Sequence, residues 1–261
     1  MDEQTLALLI DLHAPHERQG PGSRATTERA IELAGLDRSR TLDIADLGCG
    51  TGASALVLAE VLDARITAVD LSGAFLRRLR GRAAEQGRAE RIHTVEASID
   101  RLPFGNHGFD VIWCEGAIYT IGFERGARAW RGLLKPGGVL VVSELTWTTP
   151  FRPKPVEEFW GEAYPAIDTA SGKMRVLEEA GYSPIGYFPL PPECWTEEYY
   201  NPLEASFDAF LERHEDRPEA ARLVEAERQE IALYRRYGAY YSYGMYIARS
   251  PREETGDDCC R

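Results

Sequence analysis

The stretch Asp46-Leu47-Gly48-Cys49-Gly50-Thr51-Gly52 constrains the fold more than any other part of the chain. It follows the apolar run "LDIADLG" and precedes "ASALVLAEVLD", whose Leu56, Ala59 and Leu62 share one helical face. Glycines at this spacing, between a strand and a helix, describe a tight strand-to-helix turn that lets a ligand approach the backbone closely. Such loops usually cradle a phosphate at the helix N-terminus, yet Asp46 sets a carboxylate two residues ahead of the first glycine. An anionic pyrophosphate would meet a like charge there, whereas a ligand bringing an ammonium group would gain from it.

From this loop onward, strand-length apolar runs alternate with amphipathic segments, which predicts an α/β fold with parallel strands and helical crossovers. Strands are expected at Leu42 to Gly48, Arg65 to Ser72, Ile92 to Ser98, Phe109 to Gly116 and Gly138 to Leu145. The helix "GAFLRRLRGRAAEQG" turns Phe75 and Leu79 inward, and its arginines read as a solvated face. Prolines 150, 153 and 155 then break the pattern before helices around "VEEFWGEAY" and "GKMRVLEEAGY". Further strands are expected at "SPIGYFPLP" and "YYSYGMYIARS". Between them lies a charged, tyrosine-bearing insertion, Pro191 to Tyr237, read as two helices. The tail 251–261 has the composition of a disordered end.

The 261 residues are 44% hydrophobic, enough for one elaborated domain with a sizeable core. A net charge of -12 repels polyanions, so nucleic acid and anionic membranes are not expected partners and a small molecule is. No run approaches the roughly 18 apolar residues of a membrane span. The five cysteines (Cys49, Cys114, Cys194, Cys259, Cys260) include no C-x-x-C pair, and no histidine spacing suggests a metal site. A cytoplasmic protein without a metal is the expectation.

Asp70 closes the second strand in "AVDLS", about where a carboxylate meets the ribose of an adenosine. With Asp46, Gly48, Gly50 and Gly52 it favours S-adenosylmethionine, a phosphate-free cationic ligand, over a nicotinamide or flavin dinucleotide. The chain at this point resembles the class I S-adenosylmethionine-dependent methyltransferases, and is similar to the small-molecule branch containing the ubiquinone and menaquinone biosynthesis enzymes. "DLGCGTG", "AVDLS", "LPF", "FDVIWCEGAIY" and "LLKPGGVLVVSE" occur in family order between Thr41 and Glu144.

The resemblance implies a Rossmann-like, seven-stranded, mostly parallel sheet with helices on both faces. Its last strand is antiparallel and lies between the fifth and sixth. It also implies one domain over 1–250: a helical lid (1–40), a cofactor-binding core (41–145) and substrate-side elements with the final strands (146–250). By position, Leu71, Ser98 and Ile99 would frame the adenosine, Ile99 packing on the ring. Relatives commonly carry an acid where Ser98 stands, so Ser98 or neighbouring Asp100 must accept the adenine hydrogen bond. Cys114 and Glu115 would lie near the methionyl part, and Cys49 reads as a packing residue within the loop. "HERQGPGS" is either an ordinary turn before a helix or part of a lid using Arg18, Gln19 and Ser23.

Methyl transfer needs a positioned acceptor more than a dedicated base. Glu115, Tyr119, Glu144 and His16 are the candidate proton acceptors on position. Trp147, Phe159, Trp160, Tyr164, Trp195, Tyr199 and Tyr200 follow the fifth and sixth strands and Tyr119 follows the fourth. Tyr119, Trp147, Trp160, Trp195 and Tyr199 are the candidate acceptor-pocket residues. Aromatic rings mixed with Glu115 and Glu144 suit N-methylation of a small amine, which stands beside O- or C-methylation of an aromatic metabolite. No Asn/Asp-Pro-Pro-aromatic sequence follows the fourth strand, against a nucleic-acid base as acceptor. A protein acceptor, a homodimer, a non-catalytic S-adenosylmethionine-binding module and, less favoured, a dinucleotide oxidoreductase remain the alternatives.

Overall fold

The computed structural model describes residues 3–252. Helices α1 (Glu3–His13) and α2 (Arg24–Ala34) precede an alternating core. That core comprises β1 (Leu42–Leu47), α3 (Ala53–Val61), β2 (Ala64–Asp70), α4 (Gly73–Glu85), β3 (Ile92–Glu96), β4 (Phe109–Cys114), α5 (Phe123–Arg131) and β5 (Leu134–Trp147). After it come α6 (Lys154–Ala163), a two-residue β6 (Asp168–Thr169), α7 (Ala170–Glu179) and β7 (Ser183–Pro189). The sheet order is β3-β2-β1-β4-β5-β8-β7, where β8 (Tyr241–Arg249) is antiparallel to both neighbours and β6 pairs with β5 beside this path. The expected topology holds, and the brief β6 makes the strands eight.

The central strands are buried on both faces, which explains their continuous apolar runs. Ile44, Val111, Val139 and Val141 point into one core, and Ala45, Ile112, Leu140 and Val142 into the other. Helices α1 to α4 contribute to the first core and α5 and α7 to the second. β5 begins earlier than expected because Leu134 already pairs with Phe109. The register then jumps to Val111↔Val139 across "KPGG".

The insertion departs from two helices. A short α8 (Glu193–Trp195), a π-turn (Thr196–Tyr200), α9 (Asn201–Ala205) and α10 (Phe207–Arg213) lead to the 20-residue α11 (Pro218–Tyr237). Pro202 and Pro218 each open a new helical segment, since proline is tolerated only in a first turn. Of the expected tail 251–261, residues 253–261 with Cys259 and Cys260 lie outside the described residues, whereas Pro251 is described and its carbonyl accepts from the Gly137 amide (3.0 Å). Among the described residues no helix is long and apolar enough to cross a membrane, and no group of three His, Cys, Asp or Glu could hold a metal.

Candidate active site

β1, β2, β4 and β5 end on the same side of the sheet, and the segments that follow them enclose a cavity of about 450 Å³. Ligand sites of open α/β sheets lie at such carboxyl ends. The loop after β1 passes through left-handed conformations at Gly48 (φ 73°), Gly50 (φ 54°) and Gly52 (φ 88°), which side chains rarely adopt. At Gly48 a Cβ would also stand 2.3 Å from that of Ala117.

The amides of this loop are already engaged. Gly48 and Cys49 both donate to Val69 O (2.8 and 2.9 Å), and Gly50 donates to Asp70 Oδ2 (2.9 Å). Thr51 donates to Gln19 Oε1 (2.8 Å), and Gly52 to Cys49 O (2.9 Å). Asp46 lies beneath the loop, fully buried, where Ser54 Oγ donates to its Oδ2 (2.8 Å) and Oδ1 has no partner. Burial raises its pKa to about 7. The carboxylate ahead of the glycines thus acts from beneath the first turn of α3, and the loop has no free amides arranged as a phosphate cradle.

Residues 14–22 form a strap over the loop. Gln19 Nε2 donates to Thr51 Oγ1 (3.0 Å) and to His16 O (3.1 Å), while Arg82 donates to Glu17 O and Thr51 O (3.0 Å each). Arg18 pairs with Glu115 (2.9 Å), their side chains only 9% and 7% exposed. The other Glu115 oxygen accepts from Thr27 Oγ1 (2.8 Å) and Trp113 Nε1 (2.9 Å). Ser23 is the N-cap of α2, accepting from the Thr26 amide.

Many of the expected residues meet in the cavity wall: Gly48, Cys49, Gly50, Asp70, Gln19, Arg18, Glu115, Tyr119, Glu144, Trp160, Trp195 and Tyr199. Others are not brought there. Gly52 is the N-cap of α3. His16 bonds through Nε2 to Ser206 Oγ (3.1 Å), on the far side of the strap. Leu71 is 64% exposed beyond Asp70, Ser98 does not reach the wall, and Ile99 is packed in the second core with its carbonyl accepting from Trp130 Nε1. Trp147, expected in the acceptor pocket, instead packs edge-on against Tyr241 and carries Arg152 on its ring. Of the four candidate proton acceptors, Glu115 is taken up by a guanidinium and two further donors, His16 is outside and Tyr119 is a half-exposed rim residue.

Glu144, on β5, is only 2% exposed; its Oε1 accepts from the Leu145 amide (2.8 Å) and its Oε2 has no hydrogen-bond partner. Burial raises its pKa to about 7, against the opposing influence of Lys173. The folded chain therefore keeps a proton that the unfolded chain releases near pH 4.3. Stability contributed by this group is present below that pH and is lost as pH rises towards about 7. Relative to its offset at pH 5, Glu144→Gln is expected to gain roughly 5–10 °C in melting temperature over the parent at pH 8, by scanning fluorimetry; equal offsets at both would contradict the shift.

Sequence reading missed His13, Glu227, Glu230 and Tyr243, all in the wall. Glu227 approaches His13 Nε2 (3.6 Å), and Glu230 accepts from Tyr200 Oη (2.8 Å). A signal existed for Glu227. The buried face of α11 is Ala220, Val224, Ile231 and Tyr234, and Glu227 occupies the position between Val224 and Ile231 on that stripe.

The methyltransferase domain family matches residues 44–138. An O-methyltransferase of Penicillium expansum is 28% identical over 166 residues, 63% of this chain and 59% of that protein. A ubiquinone/menaquinone biosynthesis C-methyltransferase of Azotobacter vinelandii is 31% identical over 160 residues, 58% of this chain and 59% of that protein. The chain thus spans less than two thirds of the length of either relative. A methyltransferase from Geobacter sulfurreducens, solved with S-adenosyl-L-homocysteine, superposes with a TM-score of 0.80 at 18% identity, over 96% of this chain and 99% of that one.

Proposed function

Because this chain belongs to the class I S-adenosylmethionine-dependent methyltransferases, we propose that it transfers a methyl group from S-adenosylmethionine to a small-molecule acceptor, an aromatic metabolite or a small amine. The observation that carries the reading is electrostatic. Five carboxylates (Asp70, Glu115, Glu144, Glu227, Glu230) line the cavity, the one guanidinium there is paired to Glu115, and the loop amides are engaged within the chain. The Gly48–Gly52 amides offer a pyrophosphate no free donor, and the cavity wall meets it with carboxylates and a guanidinium already paired, which disfavours the dinucleotide alternative. A sulfonium and an ammonium find compensating charge.

On this reading Asp70 accepts from the ribose hydroxyls, the Gly48–Gly50 backbone gives close approach, and Gln19 holds the strap over the loop. When bound, S-adenosylmethionine supplies an electrophilic methyl group and a leaving group that departs neutral. The chain's own contribution is positioning and exclusion of water. The strap 14–22 and the rings of Tyr119, Trp160, Tyr164 and Tyr199 close the cavity. The division into a lid at 1–40, a core at 41–145 and substrate-side elements at 146–250 follows from this assignment. The aromatic insertion argues against a module that binds the cofactor without using it.

The test is transfer of labelled methyl from S-adenosylmethionine to a panel of phenols, carboxylic acids and amines. Labelled product from at least one class is expected. Tight cofactor binding with no product from any class would favour the non-catalytic module.

A further inference from the structure

The end of the cavity away from the glycine loop has a composition of its own. Glu144 from β5 and Glu227 and Glu230 from α11 face it, among the rings of Tyr164, Tyr199 and Tyr243. No lysine or arginine among the described residues pairs with these three carboxylates. Glu227 approaches His13, Glu230 accepts from Tyr200, and Glu144 leaves one buried oxygen without a hydrogen-bond partner. Lys173 acts on Glu144 through space but forms no ion pair with it; its Nζ donates to Ala166 O (2.9 Å) and lies 5.5 Å from the Tyr164 ring centre. The Tyr164 hydroxyl, close enough to influence Glu144, also lacks a hydrogen-bond partner.

We propose, resting on the methyltransferase reading above, that this end binds the acceptor as a small organic ammonium, held by Glu144 and Glu230 and the tyrosine faces, so that the acceptor atom is an amine nitrogen. Three clustered carboxylates, Glu144 buried and Glu227 and Glu230 half-buried, disfavour a phenolate or enolate, because each is a further negative charge at low effective dielectric. An ammonium relieves the same repulsion and gains from the ring faces. Burial raises the pKa of both Glu144 and Glu230 to about 7, as expected of carboxyls awaiting a cation. For transfer the ammonium gives one proton to Glu144 and the freed nitrogen lone pair forms the new N–C bond. The C–S bond breaks with its electron pair on sulfur, and the product leaves as the methylated ammonium.

Binding of non-reactive probes tests this without turnover. The full chain is titrated by calorimetry with tetramethylammonium and benzyltrimethylammonium, and with their neutral counterparts tert-butanol and benzyl alcohol, with and without S-adenosylhomocysteine. At least one cation is expected to bind roughly tenfold or more tightly than its counterpart, and Glu144→Gln and Glu230→Gln each to weaken it roughly tenfold while S-adenosylhomocysteine affinity holds. Neutral probes binding as well as the cations, or Gln variants that keep cation affinity, would overturn the assignment. If one variant loses S-adenosylhomocysteine binding through misfolding, the other carries the comparison. Failure of the unmodified chain to bind S-adenosylhomocysteine would count against the parent reading instead, since cation discrimination is read separately without it.

Discussion

Asp70→Ala should weaken S-adenosylhomocysteine binding by about 10²–10³-fold, from the loss of charge-assisted hydrogen bonds worth about 1.5–3 kcal/mol each. The effect is large because Asp70 has two tasks. At the end of β2 its Oδ2 accepts the Gly50 amide and its Oδ1 the Ser72 amide (2.8 Å), fixing the glycine loop and the entry to α4. The proposed ribose contact uses the same carboxylate. Calorimetry on the variant checks the first figure, and a melting temperature close to the parent's shows that the fold survives. Unchanged affinity would mean that the adenosine lies elsewhere.

Arg18→Met should lower the melting temperature by about 6–12 °C, since breaking a buried ion pair by removing one partner costs at least about 3 kcal/mol. Glu115 would then keep its Thr27 and Trp113 donors but lose the Arg18 guanidinium, which places the cost at the low end of the range for buried pairs. The strap would lose one of its latches, with Gln19 and Arg82 remaining. Arg18→Met combined with Glu115→Gln removes the stranded charge and should recover most of the loss. A double variant no more stable than Arg18→Met would show that the pair is not the source.

The sheet could be read from sequence because its central strands are buried on both faces, leaving uninterrupted runs such as "VIWC" in β4 and "VLVV" in β5 that have no other use in a folded chain. The glycine-loop end of the candidate site was legible for a related reason. Left-handed glycines and a strand-terminal carboxylate are local requirements, written in consecutive residues. The proposed acceptor end was not. It is assembled from α1, the segment after β4, β5, α6, the π-turn, α11 and β8, and its acidic character depends on which carboxylates of a highly charged helix turn inward. Glu227 resembles its neighbours Glu225 and Arg228 until the apolar stripe of α11 is traced. Trp147 shows the converse: a ring in the right stretch of sequence went into the core because β5 continues two residues past Leu145, to Trp147 itself, which pairs with Tyr241 of β8. The sequence pattern suggests Asp46 as a charge facing the ligand; in the structure it lies buried beneath the loop, bonded to Ser54 in the first turn of α3.

The most direct measurement is calorimetric titration of the purified chain with S-adenosylhomocysteine and, in parallel, with NADH. Micromolar binding of S-adenosylhomocysteine and none of NADH is expected. Binding of NADH in its place would contradict it, because the engaged loop amides and the carboxylate-lined cavity would then have accepted the pyrophosphate they are argued to reject.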